Sequence, residues 1–75
     1  MEVLTFIDNS RIERDKQTDD FRIIGELAHK HYFKTWDKIR YLYPKMPTEN
    51  QSILVEDVLM SEKYDVEDVL KFEVI

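Results

Sequence analysis

A single glycine (Gly25) and two prolines (Pro44 and Pro47) in 75 residues leave the backbone few places to reverse sharply. Sheets of many short strands need turn residues about every 8–12 positions. A many-turned all-β architecture is therefore excluded, and helices must carry much of the chain. The strongest periodic signal agrees. Stepping 100° per residue from Phe21, the side chains of Phe21, Ile24, Ala28, Tyr32, Thr35, Ile39, Leu42 and Tyr43 fall within about 60° of one another on a helical wheel. The spacing predicts one long helix over 19–43. Thr18 is placed to cap it, with Asp19 and Asp20 in the first turn, where the macrodipole favours carboxylates. Pro44 ends it, because the residue before proline avoids the α region. Gly25 inside this stretch costs about 1 kcal/mol relative to alanine. It marks either close packing against a sheet or a break that splits the helix.

The ends of the chain read differently. Residues 2–7 are rich in β-branched and aromatic side chains (Val3, Thr5, Phe6, Ile7) and run into Asp8-Asn9-Ser10, which is turn chemistry. Residues 70–75 alternate Leu70, Phe72 and Val74 with Lys71, Glu73 and Ile75, a strand period. Pairing these two segments ties both termini into one small sheet. Residues 11–17 are polar apart from Ile12 and form either a loop or a short edge strand, with Arg11, Glu13 and Arg14 guarding the edge. Thr48 followed by Gln51 matches a capping box, so a second helix starts there with Leu54, Val55, Val58 and Leu59 on its apolar face. A strand over 53–60 is the alternative. Asp65 is placed to cap a short third helix with Asp68 at its third position. Val-Glu-Asp-Val-Leu occurs at 55–59 and again at 66–70. Two copies are too few for a repeat array, which needs about three units, so the echo reads as coincidence or local duplication. The expected fold is a single α+β domain over 1–75: a two- or three-stranded sheet with paired terminal strands, packed on one long helix and one or two short ones.

Catalytic and metal chemistry finds little to work with. There is no cysteine, hence no disulfide framework and no thiolate metal site. A small secreted domain usually relies on such staples, which points to a reducing, cytoplasmic home. No apolar run exceeds three residues, too short for a membrane span or a signal peptide. His29 and His31 are two apart, so on a helix they point about 200° from each other and cannot chelate one ion; His31 reads as a partly buried packing residue. One glycine cannot build a phosphate loop, and no serine sits in a Gly-x-Ser-x-Gly elbow. Asp8, Ser10 and Asp19 have calcium-loop spacing, but Glu13 replaces the required glycine and Ile12 has no side-chain oxygen. No enzymatic activity, cofactor or metal is expected.

Charge carries the remaining signal. The net charge of −5 hides a division: residues 1–45 hold nine Lys/Arg against eight Asp/Glu, whereas residues 46–75 hold two against eight. The acidic third presents Glu56, Asp57, Glu62, Asp65, Glu67 and Asp68. The middle presents Lys30, Lys34 and Lys38 every four residues, with Phe33 and Tyr41 beside them. The expected function is a non-enzymatic protein-binding module: a small acidic inhibitor or regulator whose C-terminal third docks on a basic, often nucleic-acid-binding, surface of a target. Compact acidic proteins of this size occur among virus- or plasmid-borne inhibitors, an analogy of size and charge. The alternative is a nucleic-acid-binding regulator that uses Lys30, Phe33, Lys34, Lys38 and Tyr41 to hold phosphates and stack bases. A pI near 4.9 counts against it. Those aromatics are otherwise covered by the acidic tail or by a second copy. Nine aromatic residues in so short a chain also lead us to expect a homodimer or larger assembly.

Overall fold

Strand β1 (Glu2–Phe6) opens the chain and lies at the interior of the sheet. A tight turn returns it to β2 (Arg11–Asp15), and a second hairpin leads to β3 (Asp20–Ile24). Helix α1 (Glu26–Leu42) follows directly, then α2 (Thr48–Leu59), and β4 (Val69–Val74) closes the sheet. The computed structural model describes residues 1–61 and 67–75. The four strands run in the order β3-β2-β1-β4, every neighbouring pair antiparallel. The pairing of N- and C-terminal strands stands as expected, from Glu2 opposite Val74 to Thr5 opposite Lys71, with a register shift between Thr5 and Phe6. The protein is thus a small α+β domain with a four-stranded sheet and two helices among the described residues, one or two strands more than the sequence reading allowed.

The extra strand comes out of the expected long helix. Residues 20–24 are not helical; they alternate in burial, with Phe21 and Ile23 turned inward and Asp20, Arg22 and Ile24 outward. The segment 11–17, read as a loop or an edge strand, supplies β2, which is paired on both sides. The helix begins only after Gly25, whose φ of 98° is closed to an L side chain inside a helix. Thr18 therefore caps nothing. The cap comes from across the molecule. The Ser10 hydroxyl accepts the Ala28 N–H at 3.0 Å, and the Asp8 carboxylate accepts the Leu27 N–H at 3.2 Å. A Cβ placed on Gly25 would stand 2.3 Å from the Ser10 Cβ, so glycine is demanded twice, by φ and by space. The turn holding Asp8 and Ser10 is itself fixed by Phe6 N–H to Ser10 O, by Asn9 N–H to Phe6 O, and by a left-handed Asn9 at φ 68°. The Ser10 hydroxyl, together with the N–H groups of Ser10 and Leu27, holds the Asp8 carboxyl below its ordinary pKa, against the opposing effect of its desolvation.

α1 ends at Tyr43, whose N–H bonds the Ile39 carbonyl just before Pro44. α2 is a helix, as preferred over the strand reading, but its first turn differs from the capping box. Pro47 occupies the cap position, Thr48 is already helical and no side chain caps the end. Gln51 instead turns its amide to the Tyr43 carbonyl at 2.8 Å, tying the two helices together. The expected third helix from Asp65 lies outside the described residues, and Glu67 and Asp68, which would have continued it, sit in a turn.

The core lies between the helices and one face of the sheet. Leu4, Phe6 and Ile12 come from the strands, Ala28, Trp36 and Ile39 from α1, and Val55, Leu59 and Met60 from α2. His31 is buried with them, its ring stacked on Phe6 at 5.1 Å and its Nε2 2.9 Å from the Asp68 carboxylate. Truncating Ile39 to alanine removes the centre of this helix face and should cost about 2–5 kcal/mol. Tyr41→Ala, on the exposed side, should stay within about 0.5 kcal/mol. Thermal and urea melts of the two variants check the register of α1. Gly25→Ala should destabilise by more than about 1 kcal/mol, and Ser10→Ala by about 0.5–2 kcal/mol. In the double variant the losses should fall short of their sum, because an alanine at 25 pushes the Ser10 backbone and Cβ away and so already weakens the cap on Ala28 that Ser10→Ala removes.

Candidate functional site

The β2–β3 hairpin places two carboxylates face to face, Asp15 directly opposite Asp20. Like charges in that position oppose pairing. The turn between them adds Asp19, held at φ 59°, a left-handed conformation that aspartate tolerates better than most side chains. The Asp15 carboxylate accepts the Gln17 N–H at 3.0 Å and so shapes the loop. Against this hairpin α2 sets Ile53, Glu56 and Asp57, and a cleft of about 500 Å³ opens between the two elements. Its lining holds five carboxylates (Asp15, Asp19, Asp20, Glu56, Asp57) against two cations (Arg14, Lys16).

One of those cations is already spent inside the protein. The Arg14 Nε lies 2.9 Å from Glu2 and its Nη1 2.9 Å from Asp57, and the side chain is only 11% exposed. Burial alone would lower its pKa, but these two carboxylates outweigh burial and raise it. Arg14 therefore pins Asp57 in place and leaves the other acids of the cleft short of positive charge. Glu56 registers that shortage. Burial, with the charges of Asp57 and Asp19, pushes its carboxyl above the usual range despite the attraction of Arg14.

Of the acidic residues expected to act together, those that are described take different places in the fold. Glu56 and Asp57 lie in the cleft. Glu67 is exposed in the turn before β4. Asp68 is not a solvated charge; it is engaged with His31, 28% exposed, and belongs to the packing of α1 on β4. Glu62 and Asp65 lie outside the described residues. Asp15, Asp19, Asp20 and Arg14 were not anticipated as site residues: reading residues 19–43 as one helix put Asp19 and Asp20 in its first turn, and residues 11–17 were read as a loop or an edge strand. The polar run Lys16-Gln17-Thr18-Asp19 between Ile12 and Phe21 was the hairpin signal that would have found them. The basic-aromatic set stays together: Lys30, Phe33, Lys34, Lys38 and Tyr41 are all exposed along α1. Phe33 at 59% and Tyr41 at 85% exposure are not covered by the acidic tail, which corrects that alternative. Among the described residues, no three histidine or acidic side chains are grouped to hold a metal ion, and no helix is long and apolar enough to cross a membrane. No protein-family model, curated protein or solved structure matches the chain.

The raised Glu56 pKa has a defined sign. Between the ordinary glutamate pKa and the raised value, the folded chain holds more protons than the unfolded one, so stability falls as pH rises through that window. Above it the ionised Glu56 is a standing cost. Glu56→Gln should therefore raise the melting temperature at neutral pH, and the gain should vanish below pH about 4. Paired melts across that range check it.

Proposed function

We propose that this protein is a non-enzymatic protein-binding module, a small acidic inhibitor or regulator that docks on a basic surface of its target through the cleft between the β2–β3 hairpin and α2. The observation that carries the reading is the facing of Asp15 and Asp20, reinforced by Asp19 and Glu56. A hairpin that sets like charges opposite one another gives up stability. What it gains is a concentrated negative potential with partly desolvated walls, which attracts a cationic surface and speeds encounter. A basic side chain entering the cleft stabilises ionised Glu56, so binding releases a proton and strengthens as pH rises through the carboxylate range. Surfaces of this sign commonly hold nucleic acid, and the module competes for them by charge.

A second reading rests on a different observation. Phe33 and Tyr41 stand exposed among Lys30, Lys34 and Lys38, a combination that stacks bases and neutralises phosphates. The experiment compares three variants of equal folding quality by circular dichroism. One carries Asp19→Lys and Glu56→Lys in the cleft. One carries Glu26→Lys and Glu49→Lys, two exposed acids away from it. One carries Lys30→Glu, Lys34→Glu and Lys38→Glu. Titration with a fluorescent oligolysine peptide should show at least about fivefold weakening, ~1 kcal/mol, in the cleft variant. The Glu26/Glu49 variant, with the same net charge, should lose less. Equal losses in the first two variants reduce the effect to net charge and overturn the cleft. Binding of a single-stranded DNA oligonucleotide by the wild type, lost in the lysine variant alone, establishes the second reading instead.

A further inference from the structure

The two outer strands of the sheet are β3 and β4, and they differ in how they meet solvent. β3 carries Asp20 and Arg22, and Arg22 is committed to Glu13 at 2.9 Å. β4 reads Val-Leu-Lys-Phe-Glu-Val over 69–74, with no proline, and ends in Ile75. Leu70, Val74 and Ile75 are 57%, 69% and 77% exposed. A strand edge this apolar invites pairing unless something blocks it.

The backbone shows which groups await a partner. The Ile75 N–H donates to the Met1 carbonyl at 2.6 Å, and the Met1 ammonium donates to the Ile75 carbonyl at 2.7 Å. Ile75 is thus turned toward β1. In an antiparallel ladder these directions alternate, so Glu73 and Lys71 also face β1, while Val74 and Phe72 direct their N–H and C=O groups to the outer edge.

We propose that this edge pairs with the same edge of a second copy of the chain, antiparallel, about a two-fold axis through Phe72, joining two four-stranded sheets into one continuous sheet. The side-chain order selects both the occupant and the register. Centred on Phe72, Lys71 stands opposite the second copy's Glu73, and Glu73 opposite its Lys71. Val74 meets Leu70, where the register shift against β1 ends the regular ladder. The two ion pairs occupy the positions where cross-strand side chains approach most closely. Centring on Lys71 or on Glu73 instead sets like charges face to face. A one-residue shift sets charges against apolar side chains and turns core-facing residues to the wrong side. In the isolated chain Lys71 and Glu73 satisfy each other at 3.4 Å, both about half exposed, so dimerisation exchanges an internal pair for two symmetric ones. The interface is isologous and closes after two copies. β3 has no equivalent register: centred on Phe21, self-pairing overlaps only Asp20–Arg22 before running into the turn at Asp19.

Sedimentation equilibrium on the whole chain tests this, with circular dichroism to confirm folding. The wild type should sediment at twice its 9.1 kDa over a wide concentration range. Lys71→Glu and Glu73→Lys each create two like-charged pairs and should weaken association about tenfold, whereas the double variant Lys71→Glu/Glu73→Lys restores opposite pairs and should recover it. Val74→Pro removes an N–H that faces the outer edge and not β1, a position that tolerates proline, and should leave a folded monomer. A wild type of 9.1 kDa throughout, a dimer indifferent to both single reversals, or a double variant that stays monomeric overturns the proposal.

Discussion

A helix that starts directly after a strand leaves its first N–H groups without partners inside itself. In this protein two of them, on Leu27 and Ala28, are answered by Asp8 and Ser10, nineteen and eighteen residues earlier in the chain. That arrangement needs the first hairpin turn to press against the junction between β3 and α1, and only a residue without a Cβ fits there. Gly25 is thus the point where the sheet and the helix layer are registered. With α1 so placed, Ala28, Thr35 and Ile39 fall over Leu4, Phe6 and Ile12, and His31 reaches both Phe6 and Asp68. In a domain this small, where burial of surface is limited by size, one trans cap and one part-buried His–Asp contact hold together elements that no disulfide joins.

Much of this was readable from residues. β1 followed from β-branched and aromatic content ahead of a turn, and β4 from period-two patterning, with their pairing the simplest way to join them. The inward face of α1 from Ala28 to Ile39 followed from a 100° step, and α2 followed from Thr48 onward. The largest error fell on residues 18–25 and has a physical cause. Phe21 and Ile24 are spaced by three and so fit the helical stripe, while the alternation of a five-residue strand has too few positions to compete with a seventeen-residue helix beside it. Gly25 held the answer: a break in the helix was one of its two readings, and close packing, the other, is also true of it. The repeated Val-Glu-Asp-Val-Leu makes the same point about local sequence. The first copy lies within α2, whereas Glu67 and Asp68 of the second lie in a turn and Val69 and Leu70 enter β4. The shared Glu-Asp-Val-Leu takes different conformations because β1 offers a ladder to the second copy and α1 offers an apolar face to the first.

The described residues of the acidic third are spread over the fold for a related reason. Net charge is a property of composition, but a surface is assembled by topology. The fold moves Glu56 and Asp57 next to Asp15, Asp19 and Asp20, which lie in the balanced first part of the chain, and it turns Asp68 inward to His31. Asp57 is held by an arginine forty-three residues away, a partnership that no local pattern announces. By contrast, the basic-aromatic set was legible in full, because a single helix presents it and helical spacing alone decides which side chains share a face.

The face of the sheet turned away from the helices explains why an apolar edge need not lead to uncontrolled association. Two rows cross all four strands in register: Arg22, Glu13, Val3 and Glu73, then Ile24, Arg11, Thr5 and Lys71. Arg11 and Arg22 both reach Glu13, at 3.6 and 2.9 Å. Long charged side chains thus lie over Val3 and Thr5, which are buried although they point away from the core. Stacking a second sheet on this face would strip water from ion pairs of both signs, and of the two rows only Ile24, on the outer strand, offers exposed apolar surface in return. Face-to-face layering is therefore disfavoured, while on the β4 edge the outward N–H and C=O groups of Phe72 and Val74 lie beside exposed aliphatic side chains. The pairing proposed above uses that one strand, whose own order of lysine, phenylalanine and glutamate sets opposite charges face to face when centred on Phe72.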